Sequence, residues 1–152
     1  MKSLDIPADR TEIIDRLDKL DKQSQRRWGK MTPQQMICHL SDSFKAAIGE
    51  KYVSPGGNIL HRTLFKWIAL RVPLRWPKGV ATRPEMDQEA GGTPPAQVEA
   101  DMRELKRVIE RFIKAERDFE WARHPLFGEM SEEEWYRWGY LHLDHHLRQF
   151  GL

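Results

Sequence analysis

Four stretches of this chain place apolar residues at helical spacing, and no stretch of any length alternates as a strand does. Such a pattern restricts the chain to an all-α architecture whose stripes must be buried against one another. The first helix is predicted from about Ala8 to Gln23, with Ile13, Ile14, Leu17 and Leu20 recurring among charged residues. In the second, Thr32 is the expected cap and Pro33 takes the first helical position. Gln35 then stands where a capping box needs it. Met36, Ile37, Leu40, Phe44 and Ala47 form its stripe, which ends near Gly49.

The third long helix is expected to be capped by Thr93, with Pro94 and Pro95 in its first turn. Val98, Met102, Leu105, Ile109 and Phe112 follow at steps of four and three residues, the seam of a bundle. Ser131 caps the fourth, and Glu134 completes a second capping box. Glu132, Glu133 and Glu134 also suit the positive end of the helix dipole. A four-helix bundle is the simplest way to bury four such stripes in a single domain of 152 residues. The connection Lys51 to Gly92 is long and should contain a shorter helix, about His61 to Arg71. The proline-rich segment Pro73 to Pro95 follows. A crossover of this length lets the flanking helices be parallel neighbours.

Bulk composition removes several classes of function. Hydrophobic residues at 39% and charged residues at 32% describe a folded domain rather than a disordered one. A net charge of +2 is too small to argue for a nucleic-acid partner. The lone cysteine, Cys38, rules out a disulfide within the chain. The N-terminus lacks an apolar signal core, and no run approaches the ~18 apolar residues of a membrane span. The expectation is therefore a cytoplasmic protein with no membrane partner.

Three of the six histidines lie in one short segment, His142, His145 and His146. His142 and His146 are four apart, so a helix places them one turn apart on one face. Projected at about 100° per residue, Trp135, Trp138, His142, His145, His146 and Gln149 share one arc, and Asp144 points away. Two imidazoles do not complete a metal site. The expected third is His39, at the margin of the second stripe near Met36 and Ser43. Neutral imidazole suits zinc, nickel, copper or ferrous iron. Three protein nitrogens with one open position describe a catalytic type of site. The plainer alternative is that His145, His146 and Arg148 only complement the negative end of the helix dipole. A pairing of His142 with His145 also stays open, since residues three apart share a face.

Other residues carry paired readings. His145 is either an orienting partner of a ligand or an exposed base. His124, before Pro125, either holds a turn or reaches the pocket as a base or fourth ligand. Cys38 neighbours His39 but points about 100° away, so a buried, inert thiol is expected. Lys78 and Arg83, beside Thr82, recognise an anionic substrate if their loop folds over the site, and otherwise form an ordinary polar loop.

These residues resemble the DinB-like superfamily. The resemblance rests on the Thr32-Pro33 helix start before His39 and on His142-x-x-x-His146 with His145 and Gln149. The link His124-Pro125-Leu126-Phe127-Gly128, Trp135 and the run Trp76 to Glu85 are similar to an uncharacterised branch of it. The resemblance implies an up-down-down-up four-helix bundle with its long connection between helices two and three. It implies a divalent metal, zinc or nickel foremost, on His39, His142 and His146. It also implies kinship with metal-dependent transferases and isomerases that use low-molecular-weight thiols such as mycothiol or bacillithiol. The expected function is thus divalent-metal binding, with transfer of a small thiol to a small-molecule substrate or activation of water for hydrolysis. The alternative is a metal-binding or structural protein without catalysis, dimeric through exposed helix faces. A DNA-damage role follows only from the superfamily name, and the charge balance opposes direct DNA contact.

Overall fold

A computed structural model describes all 152 residues, and its regular structure is entirely helical. Five helices follow one another: α1 (Pro7–Leu17), α2 (Pro33–Ala47), α3 (Lys66–Arg71), α4 (Val98–Phe112) and α5 (Glu132–Gln149). A wide π turn, His61–Phe65, leads into α3, and a single 3₁₀ turn, Pro84–Met86, interrupts the crossover before α4. No strand forms; His124 and Gly128 merely exchange backbone hydrogen bonds across a tight turn.

Both predicted capping boxes are present. Thr32 accepts from the Gln35 amide while the Gln35 side chain accepts from the Thr32 amide, and Ser131 and Glu134 do the same for α5. The short helix predicted within the crossover also forms, as the π turn and α3 together.

Two boundaries differ from the sequence expectation. α1 stops at Leu17, not at Gln23. Beyond it, the Asp21 carboxylate accepts from the Gln23 amide and the Ser24 hydroxyl, and this local bonding replaces the helical ladder. Leu20 is still buried, delivered by a turn. Thr93 does not cap α4, which begins at Val98 after Gln97. The Thr93 amide and hydroxyl both donate to the buried carboxylate of Asp42 on α2, at 2.8 and 2.6 Å, so neither serves the helix.

Helix α2 packs against both α4 and α5; α1 and α3 pack against α5. The core lies where these stripes meet. Phe112 of α4 lies in it, edge-on to Phe44 of α2 at 4.8 Å and to Trp121 at 5.0 Å, with Trp135, Tyr136 and Trp138 of α5 around it. Polar ties hold the outer helices in place. Glu12 of α1 accepts from Tyr140 of α5 at 2.6 Å, and Arg16 donates to Asp144 at 2.9 Å. Lys66 pairs with Glu134 at 3.1 Å and Arg137 donates to the Leu70 carbonyl at 3.1 Å, fastening α3 to α5. No helix is long and apolar enough to cross a membrane.

Candidate metal centre

Packing of α2 on α5 brings His39, His142 and His146 together, so that one nitrogen from each lies within 4.8 Å of the others. The rings of His39 and His142 stack with centroids 5.4 Å apart, and His146 lies 4.8 and 4.9 Å from the two. His39 and His146 are buried, whereas His142 is partly exposed.

Hydrogen bonds settle which nitrogen carries the proton in His39 and in His146. His39 Nδ1 is 2.9 Å from the Met86 carbonyl, which can only accept. Nδ1 therefore carries the proton, and Nε2 presents a lone pair. Gln149 donates its amide nitrogen to the Trp28 carbonyl at 2.9 Å, which turns its oxygen toward His146 Nδ1 at 3.1 Å. His146 thus donates from Nδ1 and its Nε2 is bare. His142 Nε2 faces His39 Nε2 at 3.2 Å, and its own Nδ1 is enclosed without a partner.

These residues fit a divalent cation. Two imidazole nitrogens on a four-coordinate zinc stand about 3.3 Å apart, given Zn–N bonds near 2.0–2.1 Å. The closest pair already has nearly that separation, and a modest closure would bring in the third. Burial lowers the pKa of His39 against the Met86 carbonyl, and drives those of His142 and His146 well below the ordinary value, where neighbouring imidazoles push these two further down. All three are neutral at physiological pH, the form that ligates.

The other sequence candidates are placed differently. His145 stands outside the converging trio. Its ring lies edge-on to Trp28 at 6.0 Å and 6.2 Å from Trp76, beside His146 at 5.2 Å. It borders the centre, and the converging pair on α5 is His142 with His146 rather than with His145. His124 holds a turn: its Nδ1 accepts from the Leu126 and Phe127 amides at 3.2 and 3.1 Å, and its ring stacks on Phe127. Burial lowers its pKa to about 3. Trp138 separates it from His142, with centroids 5.5 and 4.8 Å away. Cys38 is buried, and burial followed by the nearby Asp101 carboxylate pushes its thiol up to about 12. Arg83 donates to Ser54 at 2.6 Å and does not enter the centre, whereas Lys78 lies over the Trp28 ring at 4.5 Å.

Three features escaped the sequence reading. The Met86 carbonyl orients His39, yet backbone carbonyls carry no residue signature. Trp28 and Trp76 flank the histidines from segments remote in the chain, and Trp76 is held by its Nε1 donating to the Ala69 carbonyl at 2.9 Å. Asp42 anchors the crossover that carries Met86. In the sequence it is only an acidic residue between Ser41 and Ser43, off the apolar stripe of α2, and it carries no signal of burial. Trp28 reaches Gln149 because Gly29 turns there with φ +77°, and a Cβ on Gly29 would stand 2.3 Å from the Gln149 amide nitrogen.

A family model described as "Protein of unknown function (DUF1569)" matches residues 1–151. No curated protein and no solved structure matches the chain.

Proposed function

The chain belongs to the DUF1569 family, and we propose that it is a divalent-metal-binding protein with His39, His142 and His146 as ligands. One observation carries this reading: three neutral imidazoles converge, and the outer nitrogens of His39 and His146 are both tied by hydrogen bonds, which leaves the Nε2 lone pair of each free to ligate. An orienting acceptor behind each ligand is the usual support of a histidine metal site. In the same reading, α1, α2, α4 and α5 form the up-down-down-up bundle of DinB-like proteins, with zinc or nickel as the foremost ions.

The reaction we propose is transfer of a low-molecular-weight thiol to a small electrophile. A divalent cation held by His39, His142 and His146 would supply Lewis acidity, lowering the pKa of a bound thiol or water. The protein's own part is to hold and enclose. Met86 and Gln149 orient two of the ligands, Trp76 and Trp138 wall the His142 side, and His145 with Trp28 lines the approach.

The test is metal content and metal-dependent stability. Wild-type protein purified without chelator should hold or take up close to one equivalent of Zn²⁺ or Ni²⁺ per chain, with a raised Tm. His39→Ala and His142→Ala should lose most of that uptake. Wild type that neither binds nor is stabilised by either ion would refute the reading. Thiol-transfer assays on the loaded protein then separate catalysis from simple binding.

A further inference from the structure

The crossover exposes a surface that the metal centre does not explain. Residues 51–84 contain seven Lys and Arg and no Asp or Glu, in a chain whose net charge is only +2. Within this run, the π turn and α3 present their apolar residues outward. Ile59, Leu60, Leu64 and Trp67 each leave more than half of their surface in solvent, and Phe65 nearly half. The face turned toward the protein holds instead Leu70 and Lys66, the latter bound to Glu134 and to the Glu129 carbonyl. An amphipathic helix that packs through a lysine and shows its large apolar side chains to water lacks a partner on its apolar face.

Charge decides what that partner is. Arg62, Arg71 and Arg75 are exposed and form no ion pair, and Lys78 lies over the ring of the partly exposed Trp28. A second copy docking through the same face would set these cations against their own equivalents. Leucine, phenylalanine and tryptophan among unpaired arginines are the composition of a helix that lies in the plane of an anionic bilayer. We propose that the π turn and α3 dock this protein on an anionic lipid surface, with Leu60, Leu64 and Trp67 entering the interface and Arg71 and Arg75 meeting the headgroups. The sequence expectation of no membrane partner rested on the lack of a spanning segment, and a surface contact requires none. The proposal does not depend on the metal reading.

Flotation of the full-length protein with vesicles tests it. The protein should float with phosphatidylcholine mixed with phosphatidylglycerol, not with phosphatidylcholine alone, and should be released as salt shortens the reach of the charges. Arg71→Gln and Arg75→Gln should each lower the partition about fivefold. Trp67→Ser should lower it on the order of tenfold, through lost apolar burial. All three positions are exposed, so an unchanged Tm verifies that the variants are folded. No flotation with anionic vesicles, or equal flotation with neutral ones, overturns the proposal. So does a dimer in solution that Trp67→Ser dissociates, which would make the patch a self-association surface.

Discussion

Gln149 sets the chemistry of His146 through a single proton. Its amide nitrogen is committed to the Trp28 carbonyl, so its oxygen is the group left to face the ring, and the ring must donate. Replacing Gln149 with Leu removes the acceptor and frees the imidazole to rotate or to change tautomer. Gln149→Leu should therefore weaken metal binding by about 10–100-fold, the usual effect of losing an orienting partner. Titration calorimetry with Zn²⁺ measures it, and an unchanged helical circular dichroism spectrum separates the effect from misfolding. Affinity equal to wild type would mean that Gln149 does not position His146.

At the scale of elements, the centre depends on how the crossover is pinned to α2. Asp42 is fully buried and accepts from Thr93 twice and from Gln88, while Lys51 approaches it at 3.2 Å. Those contacts hold the segment that carries the Met86 carbonyl to His39, one helical turn away from Asp42. Asp42→Ala should cost about 3 kcal/mol, because it leaves the Thr93 donors and the Lys51 ammonium without their acceptor. Urea denaturation measures the loss. Metal affinity should fall as well, since Met86 is no longer held over His39; a stable variant with full affinity would contradict this.

Ion pairs between helices and buried bases govern how the whole molecule responds to acid. Burial raises the Glu12 carboxyl, but hydrogen bonds from Tyr140, Lys2 and Arg16 outweigh it and hold the pKa at about 2. Glu104 is held at about 2 chiefly by Arg107, against burial and with help from Lys45 of α2. The unfolded values are near 4.5. A carboxyl depressed on folding contributes stability that is complete above its unfolded pKa and is lost as pH falls through the folded one. Both contributions should thus disappear between pH 4.5 and about 2. Histidines act earlier. His124 falls to about 3 from an ordinary 6.5, so the unfolded chain takes up its proton first as pH drops below 6.5. Urea midpoints measured across pH should be level from neutrality to about 9, where the unfolded Cys38 thiol begins to ionise, should decline as pH falls below about 6.5, and should drop further below 4.5. A midpoint that rises between pH 6 and 3 would show that these groups do not control stability.

Much of the fold was legible in the chain itself, because capping boxes and helical stripes are local. Thr32 with Gln35, Ser131 with Glu134 and the Val98 to Phe112 seam need only their own neighbours to declare a helix. The same locality put His142 and His146 on one face and offered His39 as a third partner. It misjudged Thr93, whose local role as a cap gave way to a distant carboxylate. What the sequence by itself determined was helices and faces, since both follow from backbone periodicity. Periodicity left His145 and His146 both open as the partner of His142, and the resemblance favoured His146; tertiary structure alone decided that the Met86 carbonyl and Gln149 assign the protons of His39 and His146, and that Trp28 and Trp76 flank the trio. Those outcomes depend on distances between segments that lie up to 121 residues apart. No local pattern encodes such distances, because they arise only when α2, α5 and the crossover pack together.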